Sequence, residues 1–197
     1  MPDCQQMNIA IAGSGNIGKT LASLWQRDPH LGLDVHFTGR DRIAPTVAAA
    51  DILVLSVPWN AAADVLANAG DLTGKIIVDC INPVLPTLDG LSIGGNDSAA
   101  EQLQRLAPQA RVVKAFDTLG WALLGGGYDG FYCGDDAGAK QQVATLVAAA
   151  GLRPVDVGSL RNARYLEAMA MLWIDMAVKQ GRGPSFVFHL QDAHAAQ

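Results

Sequence analysis

The sequence has few charged residues, few cysteines and no long apolar run. Only 17% of its 197 residues are charged and half are hydrophobic, which is the composition of a well-buried globular chain rather than a disordered one. The net charge is -5 and there is no basic run, so the sequence argues against a nucleic-acid surface. No segment approaches the roughly 20 apolar residues of a membrane span. The N-terminus also lacks a signal pattern, and we therefore expect a cytoplasmic protein without a membrane partner.

Chemistry that depends on metals, disulfides or nucleophiles has little support. The three cysteines, Cys4, Cys80 and Cys133, are widely spaced and odd in number, which fits neither a disulfide framework nor a zinc site. The four histidines show no metal-ligand spacing, and there is no Ser-His-Asp order or paired-carboxylate motif. The sequence therefore predicts no metal site, and it indicates no catalytic side chain.

Short apolar runs alternate with helical patterns along most of the chain. The predicted strands cover 8–12, 33–38, 51–58, 75–80, 111–116, 130–134 and 153–158. The predicted helices cover 16–27, the stretch after Pro58, about 97–107, about 136–150 and a long Met-rich segment from 159. The near-continuous apolar run at 51–58 is typical of a parallel strand that is covered on both faces. This pattern predicts an α/β fold, a Rossmann-type, doubly wound and mostly parallel sheet with a C-terminal helical segment.

The stretch IAIAGSGNIGKT, residues 9–20, fits two phosphate-binding patterns. As GxGxxG it is a dinucleotide fingerprint, whereas as GxxxxGKT it is the phosphate loop of ATPases and GTPases. Both patterns place a phosphate at a helix N-terminus. On the second interpretation Thr20 would hold magnesium and Asp79 would be its partner carboxylate. Asp79 also suits a strand-end residue that fixes the following turn, which is the interpretation we favour.

The end of the second predicted strand discriminates between nucleotides. A dinucleotide site needs an acid there for the ribose of NAD, or an arginine for the 2′-phosphate of NADP. The sequence reads Thr38-Gly39-Arg40 at this point, and a guanidinium binds phosphate through two parallel hydrogen bonds. Asp41 follows at once and would become the ribose ligand if the register moved by one residue. We favour NADP over NAD.

Further motifs extend over nearly the whole chain. They are GSGNIGKTLA, TGR, SVPW, DCINP, VVKAFDTL, CGDD and GLRPVDVGSLRNARYLEAMAMLW. Together they resemble the NADP-dependent oxidoreductases of the coenzyme F420-dependent (deazaflavin) NADP reductase type, which are distantly similar to the nucleotide domains of metalloreductases and pyrroline-carboxylate reductases. A phosphate-loop ATPase is not expected to show all of these motifs, so we interpret the GxxxxGKT string as a coincidence.

The resemblance implies an NADPH-dependent oxidoreductase that transfers a hydride between NADP(H) and a deazaflavin, a flavin or a similar flat acceptor. In such a protein the cofactor carries the chemistry and no side chain is required as acid or base. Residues 1–158 would form the NADP-binding Rossmann domain, and 159–197 a helix and tail that pack on this domain or on a partner. The helix is apolar nearly all round, so we expect it to pack in the core and in a homodimer interface, with lining of the cofactor site as the alternative role. The alternative is a non-catalytic NADP(H)-binding module that senses redox state.

The resemblance also implies the positions of the site residues. The cofactor-binding residues would be Gly13, Ser14, Gly15, Asn16, Ile17, Gly18, Thr38, Gly39, Arg40, Ser56, Val57, Pro58, Asn82 and Leu119. The substrate-binding residues, near the nicotinamide, would be Thr118, Leu119, Gly120 and Trp121. The chain departs from the family pattern at Asp117, where many relatives carry asparagine, and at Gly120-Trp121, and both departures concern the acceptor. Only about ten residues follow Arg40 before the third strand, so the second crossover is predicted to be abbreviated.

Overall fold

A computed structural model describes residues 6–193, with the exception of the Arg40 side chain; Cys4 lies outside this range. Its strands are β1 (Met7–Ala12), β2 (Leu33–Thr38), β3 (Ile52–Leu55), β4 (Ile76–Asp79), β5 (Arg111–Ala115), β6 (Asp129–Gly134) and β7 (Arg153–Asp156). Its helices are α1 (Asn16–Trp25), α2 (Ile43–Ala48), α3 (Trp59–Asn68), α4 (Ala99–Leu106), α5 (Ala137–Ala149) and α6 (Ala163–Ile174). Among the helices of the described range, none combines the length and apolar content that a bilayer crossing requires.

All seven strands form one sheet in the order β2-β1-β3-β4-β5-β6-β7. The first five are parallel, β6 runs antiparallel to β5, and β7 is again parallel to β6. The chain moves outward from β1 to β2 and then returns to add β3 on the other side of β1. This reversal is the point at which open α/β sheets bind ligands, outside the carboxyl ends of the strands. The predicted Rossmann-type, mostly parallel fold is confirmed.

Helices cover both faces of the sheet, so its central strands are buried on two sides. Alternate residues of β1 point to opposite faces, with Ile9 and Ile11 in one core cluster and Ala10 and Ala12 in the other. The first cluster contains the apolar faces of α1 and α5, and the second contains those of α2, α3, α4 and α6. The indole Nε1 of Trp25 donates to Leu146 O across 2.9 Å, which joins α1 to α5.

Several elements end earlier than the apolar patterns predict. The run 51–58 forms strand only from Ile52 to Leu55, and the last bond to β1 runs from the backbone N–H of Ser56 to Ala12 O at 2.9 Å. Pro58 then caps α3 in extended conformation. The crossover after Arg40 is abbreviated as predicted, since it holds one 3-10 turn, Arg40–Arg42, and the six-residue α2.

The long C-terminal helix is present but does not continue regularly. A 3-10 turn precedes α6, and a π-helical turn, Asp175–Lys179, follows it. Residues 181–193 have no regular secondary structure and fold back, so that Leu190 N donates to the buried carboxylate of Asp129 at 2.6 Å. We call residues 181–193 the tail. The division of the chain at residue 158 stays a prediction.

Candidate active site at the sheet edge

Two glycines of the loop after β1 are required by the way the chain packs on itself. Gly13 has a φ of +113°, and a Cβ built there would lie 2.3 Å from Ser56 O. A Cβ on Gly18 would lie 2.6 Å from Ser56 Oγ. Ser56 Oγ in turn donates to Ala12 O at 3.2 Å. The loops after β1 and β3 are therefore in direct contact, which leaves no room for a larger residue at either glycine.

Gly15 has a different environment. Its φ is -72°, and a Cβ built there meets nothing within 4 Å. It caps α1, whose N-terminus has no side-chain cap and no acid in the first turn. Ser14, Gly15 and Asn16 are all exposed, whereas Ile17 is half-buried. The first N–H groups of α1 and the positive end of its dipole are therefore available to an anion such as a phosphate.

The geometry does not support the ATPase interpretation of this loop. A phosphate loop needs the residues between its glycines to wrap around the phosphates, but α1 begins at Asn16 and leaves only Ser14 and Gly15 outside the helix. The proposed magnesium partner Asp79 is fully buried. One of its oxygens accepts from Lys114 Nζ at 2.9 Å and the other from Ile81 N at 2.8 Å, so no oxygen remains for a metal at Thr20.

The turn after β2 lies beside this loop. Ala12 at the end of β1 is paired with Thr38 at the end of β2, so Gly39 and Arg40 follow at the same sheet edge. Gly39 is extended, and a Cβ built there meets nothing within 4 Å. Arg40 begins the 3-10 turn, and its side chain lies outside the described part of the chain. The backbone thus places residue 40 at the same sheet edge as the loop after β1.

The loops after β3, β4 and β5 end at the same edge. Ser56, Val57 and Pro58 follow β3, and all three are partly exposed. Asn82 follows β4 and is partly exposed, and its Nδ2 donates to the backbone oxygen of Asp117 at 2.8 Å. The structure therefore brings these residues to the edge where the sequence predicts the ribose and nicotinamide.

The four predicted acceptor residues differ in exposure. Thr118 and Leu119 are buried, Gly120 is half-buried, and 49% of Trp121 is exposed. A Cβ on Gly120 would lie 3.1 Å from the Trp173 ring, so this departure from the family pattern makes room for α6. Of the four, Trp121 is the side chain most open to an incoming ring.

Sequence reasoning missed the aromatic cluster beside Gly120. Trp173 of α6 and Phe186 of the tail are stacked with ring centroids 5.4 Å apart, and Trp173 Nε1 donates to Phe186 O at 2.8 Å. The guanidinium of Arg182 lies 5.5 Å from the Phe186 ring centroid. The apolar helical pattern shows Trp173 as a packing residue, and the tail is predicted to pack back, but no local signal pairs Phe186 with Trp173.

A buried ion cluster lies directly behind the edge, and sequence reasoning missed this also. Lys114 Nζ contacts Asp79 at 2.9 Å and Glu167 at 3.2 Å, and it donates to Ile81 O. Burial lowers the pKa of Lys114, but the neighbouring carboxylates outweigh this effect and raise it above its usual range. Glu167 also accepts from the backbone N–H groups of Ala99 and Ala100 at 3.1 and 3.3 Å. The cluster therefore joins β4, β5, α4 and α6.

Asp117 lies next to this cluster but is not paired within it. Both of its carboxyl oxygens are buried without a hydrogen-bond partner, as is Asn82 Oδ1. Burial is the largest effect and raises the pKa of Asp117 to about 7, with a partial opposite contribution from Lys114. The preceding residue, Phe116, has a φ of +64°, which turns the chain sharply at the end of β5. Asp117 is therefore a neutral acid over most of the acidic range.

This pKa makes the stability of the protein depend on pH. Because the folded pKa of Asp117 is above the unfolded value of about 4, the favourable contribution of its proton is full below pH 4 and is lost as the pH rises through 7. We expect Asp117→Asn to match the wild type near pH 4 and to exceed its free energy of unfolding by about 4 kcal/mol at pH 8. Urea unfolding at both pH values measures this difference, and a pH-independent difference would contradict the assignment.

The chain is similar to known proteins in sequence and in structure. Residues 38–83 match the family model described as NADP oxidoreductase coenzyme F420-dependent. The metalloreductase STEAP3 of Rattus norvegicus is 31% identical over 180 residues, which are 83% of this chain and 36% of that protein. The F420-dependent NADP reductase of Methanocaldococcus jannaschii is 29% identical over 140 residues, 66% of this chain and 63% of that protein. The chain thus spans less than two thirds of the length of either relative.

A solved structure agrees over almost the full length. A candidate F420-dependent NADP reductase from Arthrobacter sp. FB24 superposes with a TM-score of 0.84 and is 29% identical, and the match covers 94% of this chain and all of that one. A reductive aminase from Aspergillus terreus, at 21% identity and a TM-score of 0.62, shares the fold. The matched segment 38–83 contains the turn after β2, the loop after β3 and Asn82. In sequence and in structure the chain is thus similar to the coenzyme F420-dependent NADP oxidoreductases.

Proposed function

We propose that this chain binds NADP(H) across the β1/β3 switch point and transfers a hydride between it and a flat acceptor, a deazaflavin such as coenzyme F420 or a flavin. The observation that carries the proposal is the uncapped N-terminus of α1, which opens beside an unobstructed Gly15 and the turn that begins at Gly39. Phosphate oxygens fit an uncapped helix N-terminus. The family described above supports NADP as the dinucleotide.

The residues at the edge would divide the cofactor between them. Ser14 to Ile17 would lie along the pyrophosphate, and Gly39 and Arg40 around the 2′-phosphate. Ser56 to Pro58 and Asn82 would flank the nicotinamide ribose. The bound cofactor supplies the hydride, so the task of the chain is to hold two rings at contact distance and to exclude water.

The acceptor would stack on the exposed side of this edge. Trp121 has a half-exposed ring at the carboxyl edge of the sheet. The Trp173–Phe186 pair packs behind Gly120. Aromatic rings of this kind stack on flat ligands through offset contacts. Relatives that are named F420-dependent NADP reductases support a deazaflavin as the first acceptor to test.

The test of the function has two stages. The four tryptophans report binding, so we would titrate the full chain with NADPH, NADH and Mg-ATP and follow quenching and energy transfer to the nicotinamide. Tight NADPH binding, weak NADH binding and no response to ATP are expected. Turnover is then measured with coenzyme F420, FMN, FAD and a ferric chelate. A tight NADPH complex that reduces none of them would instead favour the redox-sensing module, and saturable ATP binding alone would overturn the proposal.

Arg40 tests the preference for the 2′-phosphate. We expect Arg40→Ala to weaken NADPH binding by about 10- to 100-fold, because a charge-assisted pair of hydrogen bonds is lost, and to leave NADH binding nearly unchanged. Arg27→Ala is the matched control, since Arg27 is exposed beyond the opposite end of α1. Fluorescence titration measures all three proteins. An equal loss for both cofactors would show that Arg40 does not contact the 2′-phosphate.

Alanine substitutions at Gly15 and Gly13 distinguish the approach of the ligand from packing within the protein. A methyl group at Gly15 meets nothing in the protein, so Gly15→Ala should change the free energy of unfolding by less than about 1 kcal/mol. It should weaken NADPH binding at least about tenfold, because the methyl occupies the path of the pyrophosphate. Gly13→Ala should lose more than about 2 kcal/mol of stability, because of its positive φ and the contact with Ser56. Unchanged NADPH affinity in Gly15→Ala would place the pyrophosphate elsewhere.

We also propose that two copies of the chain pair through α6. Tyr165 and Leu172 lie two turns apart on one face of the helix and are 60% and 51% exposed, and Val178 in the next turn is 57% exposed. A twofold axis would bring the same apolar face of a second copy against this one. Such an interface would remove these large apolar side chains from water.

Sedimentation measures the oligomeric state. We expect the wild type to sediment as a dimer and Leu172→Asp as a monomer, because an unpaired carboxylate would be buried in the interface. Leu31→Asp is the control, since Leu31 is an exposed leucine of the 3-10 turn Pro29–Leu31, away from α6. A monomeric wild type, or a dimer that survives Leu172→Asp, would contradict the pairing.

A further inference from the structure

The buried, unpaired carboxyl group of Asp117 has no role in the hydride transfer proposed above. We propose that Asp117 couples the redox state of the bound nicotinamide to a proton, as a neutral acid beside the reduced ring and as a carboxylate beside the oxidised ring. The inference rests on the proposed function, because it needs the nicotinamide at this edge of the sheet. It names Asp117 as a positioning residue for charge, rather than as a group that attacks the substrate.

The hydrogen bonds around Asp117 explain why it retains its proton. The three oxygen partners of the Lys114 ammonium are in Asp79, Glu167 and the backbone of Ile81. Lys114 therefore has no further N–H group for Asp117. Neither oxygen of Asp117 has a partner among the described residues. A carboxylate at this position would therefore be buried with no donor, and burying an unpaired charge is strongly unfavourable.

The charges that face Asp117 partly offset one another, since Lys114 lowers its pKa and Asp79 and Glu167 raise it. Lys114 on β5 contributes one positive charge, and Asp79 on β4 and Glu167 on α6 contribute two negative charges. The thiols of Cys80 and Cys133 also lie close, and burial raises the pKa of both well above the usual range, so they are neutral. The surroundings are thus net negative, and a third carboxylate is disfavoured. Consistently, the pKa of Asp117 is raised to about 7.

The two forms of the cofactor differ in one charge at this edge. NADP⁺ and NADPH carry the same phosphates, but the oxidised nicotinamide ring is a cation and the reduced ring is neutral. Asp117 directly follows the β5 edge, and Asn82, which would flank the ring, holds its backbone oxygen at 2.8 Å. A cation near a buried carboxyl favours the carboxylate. Binding of NADP⁺ should therefore release the Asp117 proton, whereas binding of NADPH should retain it.

The step balances. The C–H bond of NADPH breaks and its electron pair passes as hydride to the acceptor, which is reduced as the nicotinamide is oxidised. The O–H bond of Asp117 breaks in response to the new positive charge, and its proton passes to water. An asparagine at this position could not ionise and so could not make this adjustment.

The decisive measurement is the ratio of two dissociation constants as a function of pH. With the full chain we would measure the Kd of NADPH and of NADP⁺ between pH 5.5 and pH 9, using tryptophan fluorescence and calorimetry. The ratio of the NADPH value to the NADP⁺ value should rise about tenfold with pH in the wild type, since one pKa unit corresponds to a factor of ten. Ionisation of the cofactor phosphates cancels in this ratio. Asp117→Asn should give a constant ratio.

Two further readouts make the test specific. Saturation with NADP⁺ at pH 7 in weak buffer should release protons that an indicator dye detects, and infrared difference spectra should show the loss of a protonated carboxyl group. Both signals should be absent in Asp117→Asn and retained in Asp71→Asn, which removes an exposed carboxylate from a surface turn. Folding is not a confounding factor, since Asp117→Asn is expected to be the more stable protein at alkaline pH.

The outcomes separate the inference from the proposed function. Binding of both cofactors with a pH-independent ratio in the wild type, or with the same pH dependence in Asp117→Asn, would overturn the coupling and leave NADP(H) binding intact. Failure of either cofactor to bind at any pH would overturn the proposed function, and the coupling with it.

Discussion

The buried ammonium of Lys114 is the contact on which the arrangement of the site depends. It joins Asp79 at the end of β4 to Glu167 of α6, and Glu167 satisfies the first N–H groups of α4. Two strands and two helices that are distant in sequence are thereby fixed relative to one another. Removing one member of such a cluster leaves a buried charge without a partner, which is far more destabilising than replacing the whole cluster by apolar residues. Because α6 is held in this way, Trp173 reaches Gly120 and the tail returns to the sheet edge.

The two halves of the site are formed by different kinds of group, one by backbone and the other by side chains. The proposed cofactor half consists of backbone, with an uncapped helix N-terminus, a glycine that meets nothing and two glycines that pack against Ser56. Such a surface depends on close approach, and few side chains are compatible with it. The proposed acceptor half consists of side chains from the loop after β5, from α6 and from the tail, which meet only in the folded chain. On this proposal a different acceptor would require changes in the second half alone.

The sequence predicted the parts of the protein that are encoded locally. Apolar runs and helical periods gave the order of strands and helices, because burial on both faces of a sheet leaves its mark within each element. The glycine pattern and the turn at Gly39 indicated the switch point for the same reason. The ion cluster was out of reach, because Asp79, Lys114 and Glu167 lie in separate elements and each also suits a local role. Asp79, interpreted as a turn residue, does accept from Ile81 N, but its pairing with Lys114 follows from the register of β4 and β5. The contact of Trp173 with Phe186 depends likewise on a tail without periodicity.

A nicotinamide site must accommodate a ligand whose charge changes by one unit while its shape hardly changes. Peptide dipoles and glycine loops cannot respond to such a change, since their charges are fixed by the fold. Only a titratable group can respond, and it must be buried to sense the ring and free of strong partners to lose its proton near neutral pH. Asp79 and Glu167 fail the second condition, because both contact Lys114 and both accept hydrogen bonds from backbone N–H groups. Asp117 meets both conditions at the end of β5. The same cluster that fixes α6 therefore also leaves one neighbouring acid unpaired, so that structural anchoring and charge adjustment come from a single arrangement of side chains.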